Sequence, residues 1–329
     1  MKRIIIIFFG LLLLTSMACC RAVPINNAGI TPMPSGTPSV SPAGTQKITD
    51  QTTPIATALP SVDPLYSTGT GVLYTVPAGD GENDVGYAAY DDGNAGPEAF
   101  IVMGDTVFVL DTVKARILIL SGSVTGSVPL TGTVRPFHFC YADGRFYVVD
   151  YFSKTITVYE DGSESHDELP LPERLTGADV SQIFFDGTGN SLVIYDHGLF
   201  RYSYSLTAEE WTADGRILVD QSGSVKRITV NAAEYLLDTG EETTVRFLRQ
   251  CMNGDIIVGV YEYETVDELV SVRYSVREYR PDGALLKCAY LDVSNSFSHP
   301  TDSVFIGYDD TVYTMICTAD GAVIGTPIY

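Results

Sequence analysis

Three carboxylates alternate along Asp80-Gly81-Glu82-Asn83-Asp84, and Asp91-Asp92 follows shortly after. Oxygen ligands at alternate positions are what a calcium ion takes from a loop. A calcium loop beginning at Asp80 would also need Gly at its sixth position and Glu at its twelfth. Val85 fills the sixth and no Glu stands at the twelfth, so Asp80, Glu82 and Asp84 form an incomplete metal set. A second set is Asp111, Asp150 and Asp196, each closing a run of apolar residues. Repeated carboxylates of this kind either ring a central channel, where they bind a cation or ligand, or serve turns, where each accepts hydrogen bonds from backbone amides nearby. The turn role needs no ligand and is the expected one. The histidines, His138, His166, His197 and His299, show no i,i+4 pair and no H-E-x-x-H. His138 sits in a strand-like run and reads as core, and His197 falls in a tight turn, Asp196-His197-Gly198. No G-x-S-x-G elbow, P-loop or post-strand G-x-G-x-x-G is present.

Cysteine chemistry divides in the same way. Cys19 and Cys20 belong to the N-terminal leader, whereas Cys140, Cys251, Cys288 and Cys317 are scattered without a C-x-x-C pair. The latter lie in apolar runs such as FHFCYA and YTMICTA, which suit buried thiols better than disulfides or a zinc site. Trp211, the single tryptophan, lies between Glu209-Glu210 and Ala213-Asp214-Gly215. Exposed, it would be a binding anchor; buried, it would be packing. The twenty tyrosines could stack on sugars, but many alternate with apolar neighbours, as half-buried strands require.

The elements that must position these residues fall into three segments. Residues 1–18 carry Lys2 and Arg3, an apolar run from Ile4 to Leu14, then small residues before Cys19. That is the layout of an export signal, and the run is shorter than the ~20 residues a membrane span needs. Residues 19–65 are rich in Pro, Thr and Ser and lack aromatics, so a disordered tether is expected. Residues 66–329 carry short Val, Ile, Tyr, Phe and Thr runs broken by DG, NG and GD turns, with no sustained helical period. The spacing from Asp111 to Asp150 is 39 residues and from Asp150 to Asp196 is 46. Periods near 40 in all-β sequence indicate propeller blades.

Two resemblances sharpen this reading. The run Ser16-Met17-Ala18-Cys19 resembles a bacterial lipoprotein signal, departing from its usual residue types at Ser16 and Met17. The resemblance implies lipidation of Cys19, with Cys20 the alternate acceptor, and hence a lipid-bilayer anchor on the extracytoplasmic face of the cell membrane. The second is carried by Gly96 to Gly122, where Phe100, Gly104-Asp105, Val107, Leu110, Asp111, Arg116 and Ile117 resemble an NHL-type repeat. Pro136 to Gly162 repeats the pattern, with Lys154 and Thr155 where Arg would be expected. The NHL resemblance implies an all-β propeller, most often of six four-stranded blades. Further blades are expected over Val245 to Asp292, with a turn at Asn253-Gly254, and from Val304 to the C-terminus. The last has too few strands by itself, so the early strand Gly71 to Gly79 is expected to complete it and close the ring, since an open array would expose apolar sheet faces.

The formal net charge of −21 excludes nucleic acid as a partner class, because that affinity rests on neutralising phosphates with Lys and Arg. No cofactor is expected. The leading expectation is a cell-surface binding platform for a protein, peptide or glycan. The alternatives are a metal-dependent propeller hydrolase or lyase with its site at the central channel, and a structural accessory of an envelope complex.

Overall fold

The computed structural model describes residues 63–329 except 91–92, 123, 161–164, 187–189, 198, 267–268, 294–295 and 297–302. The chain divides into two units, Met1–Ala58 and Leu59–Tyr329, and the description concerns the second. The leader, Cys19, Cys20 and the tether as far as residue 62 lie outside the described residues, as do Asp91, Asp92 and His299.

Six antiparallel sheets follow one another along the chain, each a blade of a β-propeller. Blade 1 comprises Ala99–Met103, Thr106–Asp111, Arg116–Ser121 and Val124–Pro129. Blade 2 comprises Pro136–Ala142, Arg145–Asp150, Thr155–Glu160 and His166–Pro170. Blade 3 comprises Val180–Asp186, Ser191–Asp196, Phe200–Ser205 and Glu210–Arg216. The β-branched and aromatic runs supply these strands, and turn residues set their register. Asp143 and Gly144 both have positive φ, 50° and 77°, as a two-residue hairpin turn of the favoured hand requires.

Blade 4 has three strands, Leu218–Asp220, Val225–Val230 and Ala233–Asp238. The chain between the last strand of blade 3 and the first of blade 5 is too short for four. Blade 5 comprises Thr243–Gln250, Ile256–Val266, Leu269–Tyr279 and Leu285–Leu291, and Leu65–Tyr66 adds a parallel edge strand. Blade 6 comprises Val304–Ile306, Val312–Thr318 and Gly321–Ile328, and its fourth strand is Gly69–Pro77. The C-terminal blade is thus completed by an N-terminal strand, with Gly69 opposite Ile328 and Pro77 opposite Gly321. The sequence anticipates this closure and all the blades except the short fourth. It also leaves unforeseen the edge strand on blade 5 and a small hairpin, Ala88–Tyr90 with Gly93–Ala95.

Packing between blades repeats around the ring. One buried cluster links blades 1 to 3 through residues such as Phe108, Phe146 and Ile194. A second joins blades 3 to 5 through Tyr195, Ile228 and Phe247, and a third joins blades 5 and 6 through Leu248, Val276 and Val312. A fourth returns to blade 1, placing Val76 of the closing strand with Met315, Ile324, Val107 and Leu118. Each blade therefore shares buried apolar residues with both of its neighbours, which is how a ring disposes of apolar sheet surface.

Closure depends on close backbone approach. A Cβ on Gly325 would collide with the carbonyl oxygen of Gly71 and come within 2.7 Å of Thr70 Cγ2, and one on Gly321, whose φ is +137°, would collide with the carbonyl of Val76. Gly104 also has positive φ, +58°, but open space around it. Gly325→Val is expected to destabilise the whole domain by ~3 kcal/mol or more, the scale of severe core disruption, whereas Gly104→Ala should cost only ~1 kcal/mol. Thermal melting of the two variants checks this; equal losses would detach stability from ring closure.

Candidate functional site

The recurring aspartates sit at the junction of the second and third strands of blades 1, 2 and 3, and each bonds the chain locally. Asp111 is fully buried; its oxygens accept from Gly86 N at 3.1 and 3.2 Å and from Lys114 N at 3.2 Å. It also pairs with Arg116 Nε at 3.2 Å. Arg116 in turn donates through Nη1 to the carbonyl of Glu82 at 2.6 Å, and through Nη2 to that of Asp84. In blade 2, where no arginine follows, Asp150 instead accepts from the backbone N–H groups of Val134, Arg135 and Phe152. Asp196 accepts from Phe200 N at 2.9 Å. None of the three lies on the wall of the central cavity described below.

The acidic loop is clasped by cations of blade 1. Lys114 Nζ donates to the carbonyls of Gly81 and Asp84 at 2.7 and 2.9 Å, and Asp84 Oδ2 accepts from Gly81 N at 3.0 Å. Among the described residues no group of three or more His, Cys, Asp or Glu is placed to hold a metal ion. Trp211 lies on the outer strand of blade 3, half-buried, with its ring 5.1 Å from Tyr204 and Nε1 donating to the Pro170 carbonyl of blade 2 at 2.7 Å. Cys140, Cys251, Cys288 and Cys317 are buried thiols outside any disulfide, and Cys317 Sγ donates to the Pro97 carbonyl at 3.7 Å. Burial pushes the Cys251 thiol up to about 12, so it is protonated at neutral pH.

The aspartate turns and the connectors between blades share one face of the ring. Backbone bonds tie them together: Tyr151 N donates to Arg135 O at 2.9 Å and Gly177 N to Ser153 O at 2.7 Å. On this face three successive blades expose an apolar residue two to four positions after the aspartate: Val113 (37%), Phe152 (67%) and Phe200 (39%). Val134 (83% exposed) stands beside Phe152, because Asp150 bonds the backbone of both. Arg135, Lys154 and Arg174 are exposed on the same face, and the Arg135 guanidinium lies 4.7 Å above the Tyr151 ring.

A central cavity of about 460 Å³ opens along the ring axis. Its wall is built from the first strands of blades 1, 2, 3, 5 and 6, including Phe100, His138, Phe184, Phe247 and Phe305. Beside the three-stranded blade 4 it extends across blade 3, reaching Tyr195, Arg201, Asp214 and Arg216. Among the described residues the charged wall groups are Arg201, Arg216, Arg246, Arg249, Asp186 and Asp214. Composition points away from such a cluster, because the acidic groups outnumber the basic ones 41 to 20. Arg246 and Arg249, three apart on one strand, were the only local hint. Arg249 Nη1 donates to the carbonyls of Ile306 and Gly307 at 2.9 and 3.1 Å, which holds blade 5 to blade 6.

No protein-family model matches the chain, and neither does any curated protein. Solved structures with the same type of fold do. One titled as the WD40 repeats of RRP9 is 12% identical, with 79% of this chain and all of that chain covered at a TM-score of 0.44. A putative gluconolactonase is 10% identical over 80% of this chain and 94% of its own, at 0.45. YCF48 bound to a D1 peptide is 12% identical over 79% and 99%, at 0.40. By its own six sheets the chain is a six-bladed β-propeller with an axial cavity and a loop face that exposes apolar and cationic residues.

Two outcomes follow from these contacts. Asp150→Ala removes an acceptor of three backbone bonds and should cost ~2–4 kcal/mol, more than Asp196→Ala, in denaturant unfolding. His138 is buried on the cavity wall, and burial followed by the nearby Arg246 charge lowers its pKa from 6.5 to about 3. The unfolded imidazole therefore takes up a proton as pH falls through 6.5 while the folded ring stays neutral. Within that window His138 should remove up to ~1.4 kcal/mol of stability per unit of acidification, and His138→Leu should flatten the slope measured by unfolding at successive pH values.

Proposed function

We propose that the protein is a lipid-anchored, extracytoplasmic binding platform whose loop face takes a protein or peptide partner. The observation that carries this reading is the exposure of Val113, Phe152 and Phe200 between the aspartate and the start of the third strand in three successive blades, with Val134 beside Phe152. Single exposed apolar residues are ordinary, but a series on one face, beside turns organised by Asp111, Asp150 and Asp196, fits the core of an interface. The adjacent Arg135, Lys154 and Arg174 stand out on a chain of net charge −21, and they favour a partner segment that mixes acidic and apolar side chains. The leader ending at Cys19 and the Pro-rich segment behind it support attachment to a membrane by a tether of ~40 Å mean reach. The repeats around Asp111 and Asp150 support grouping the ring with NHL-type propellers.

A photo-reactive amino acid at position 152 of the full-length protein in its native membrane should give discrete crosslinked adducts. Val134→Asp should abolish them without lowering the melting temperature, since Val134 is 83% exposed. Adducts that survive Val134→Asp would place binding elsewhere. Detergent-phase partitioning of Cys19→Ser tests the anchor: the variant should move to the aqueous phase, and retention in the detergent phase would shift lipidation to Cys20.

A further inference from the structure

We infer that the axial cavity is a binding site for a small organic carboxylate with a flat ring, separate from the loop face. The first argument is charge. Among the described residues the wall carries four arginines against two aspartates, in a chain whose composition is strongly acidic. Cations concentrated in a concave, low-dielectric site attract anions there far more strongly than at a flat surface.

The second argument is the state of Arg201. Its Nη2 lies 3.6 Å from Asp186 Oδ2 and its Nε lies 4.0 Å from Asp214 Oδ2. Both separations exceed a hydrogen bond. Nε is buried and has no hydrogen-bond partner among the described residues. A buried donor left unmade costs free energy, and a ligand oxygen at this point would complete it. Guanidinium presents its donors as a planar fork that matches a carboxylate. Asp214 is held back from Arg201 by its own bonds, since Thr212 Oγ1 donates to Oδ1 at 3.1 Å and Ser203 Oγ donates to Oδ2.

The third argument is the body of the site. Phe184 and Tyr195 lie with ring centroids 5.9 Å apart on the same wall, and the Arg249 guanidinium sits 5.9 Å from the Phe184 ring centre. Flat apolar surface beside cations suits a ring bearing an acid group. The volume, about 460 Å³, is that of a small-molecule pocket. The part of the wall that carries Arg201 lies on blade 3 beside the three-stranded blade 4, whose Val230 and Asn231 also line the cavity.

Isothermal titration with benzoate and nicotinate, two carboxylates on flat rings, at neutral pH and constant ionic strength, tests this on the folded protein. At least one of the two should bind to wild type. Arg201→Gln should weaken it by ~10-fold or more, the worth of a charge-assisted hydrogen bond, and Asp214→Asn should strengthen it by removing the competing carboxylate. Opposite signs from the two variants cannot come from misfolding, and their melting curves are recorded alongside. Absence of binding by both probes, or an affinity unchanged by Arg201→Gln, would overturn the site. Inorganic phosphate binding as tightly as both probes would overturn the ring-bearing ligand class. None of these outcomes bears on the loop face, which shares neither Arg201 nor Asp214.

Discussion

The ring depends on the pairing of Gly69–Pro77 with Gly321–Ile328. It is the contact that joins the two ends of the folded unit, and it spans almost the whole unit: Thr68 Oγ1 reaches Ile328 O across 260 residues of sequence. Closing so long a loop carries an entropic cost that local hairpins do not, so it forms against a largely assembled ring. The gain is general. With the strand in place, Val76 enters the cluster that joins blade 6 to blade 1, and both end blades lose their exposed faces. Without it, the apolar faces of blades 1 and 6 would meet water together. The glycines at Gly321 and Gly325 are part of the same constraint, because only a bare Cα lets the two backbones come this close.

Within the ring, charge is used in two ways. The repeated turn of blades 1 to 3 has a carboxylate at the same strand end, but its partners differ. Asp111 uses Arg116 and the acidic loop, whereas Asp150 uses three backbone amides. A carboxylate can be satisfied by either set, so the turn tolerates loss of the arginine. Lys114 and Arg116 are spent on loop carbonyls, and so the carbonyl oxygens of Gly81, Glu82 and Asp84 already have cationic partners. The alternating acids that suggested a calcium loop thus belong to a segment organised by side-chain cations.

Much of the fold was legible in the sequence because its signals are local. Apolar runs ending in Asp111, Asp150 and Asp196, with Gly turns between, gave strand positions and the blade period. The closing strand was legible by elimination, since the final blade lacked a strand and Gly71 to Gly79 had no neighbour. Blade 4 was illegible for a physical reason: its strands, such as Val225–Val230, alternate exposed and buried residues and its edge strand has only three residues. The cavity was illegible for another. Arg201 and Arg246 lie on different blades, 45 positions apart in sequence, and nothing in either local run signals that the ring brings them to one wall.

The cavity wall links architecture to chemistry. Tyr195 of blade 3 packs with Ile228 of blade 4, while Arg201 lines the cavity, where a largely buried cation would ordinarily need a close carboxylate. Instead its two aspartates stay beyond hydrogen-bond range, and one of them is held by hydroxyls of its own strand pair. Burying an ion pair is tolerable when the geometry is tight and costly when it is loose. A loose arrangement on a cavity wall is therefore poorly explained as a stabilising device. It is better explained as a site whose donors are held ready, with Arg249 anchored to blade 6 carbonyls and Arg246 Nη2 3.3 Å from the Ser181 carbonyl. Rigid placement of the wall arginines lowers the ordering cost of taking up an anion, which is where a preorganised site gains its affinity.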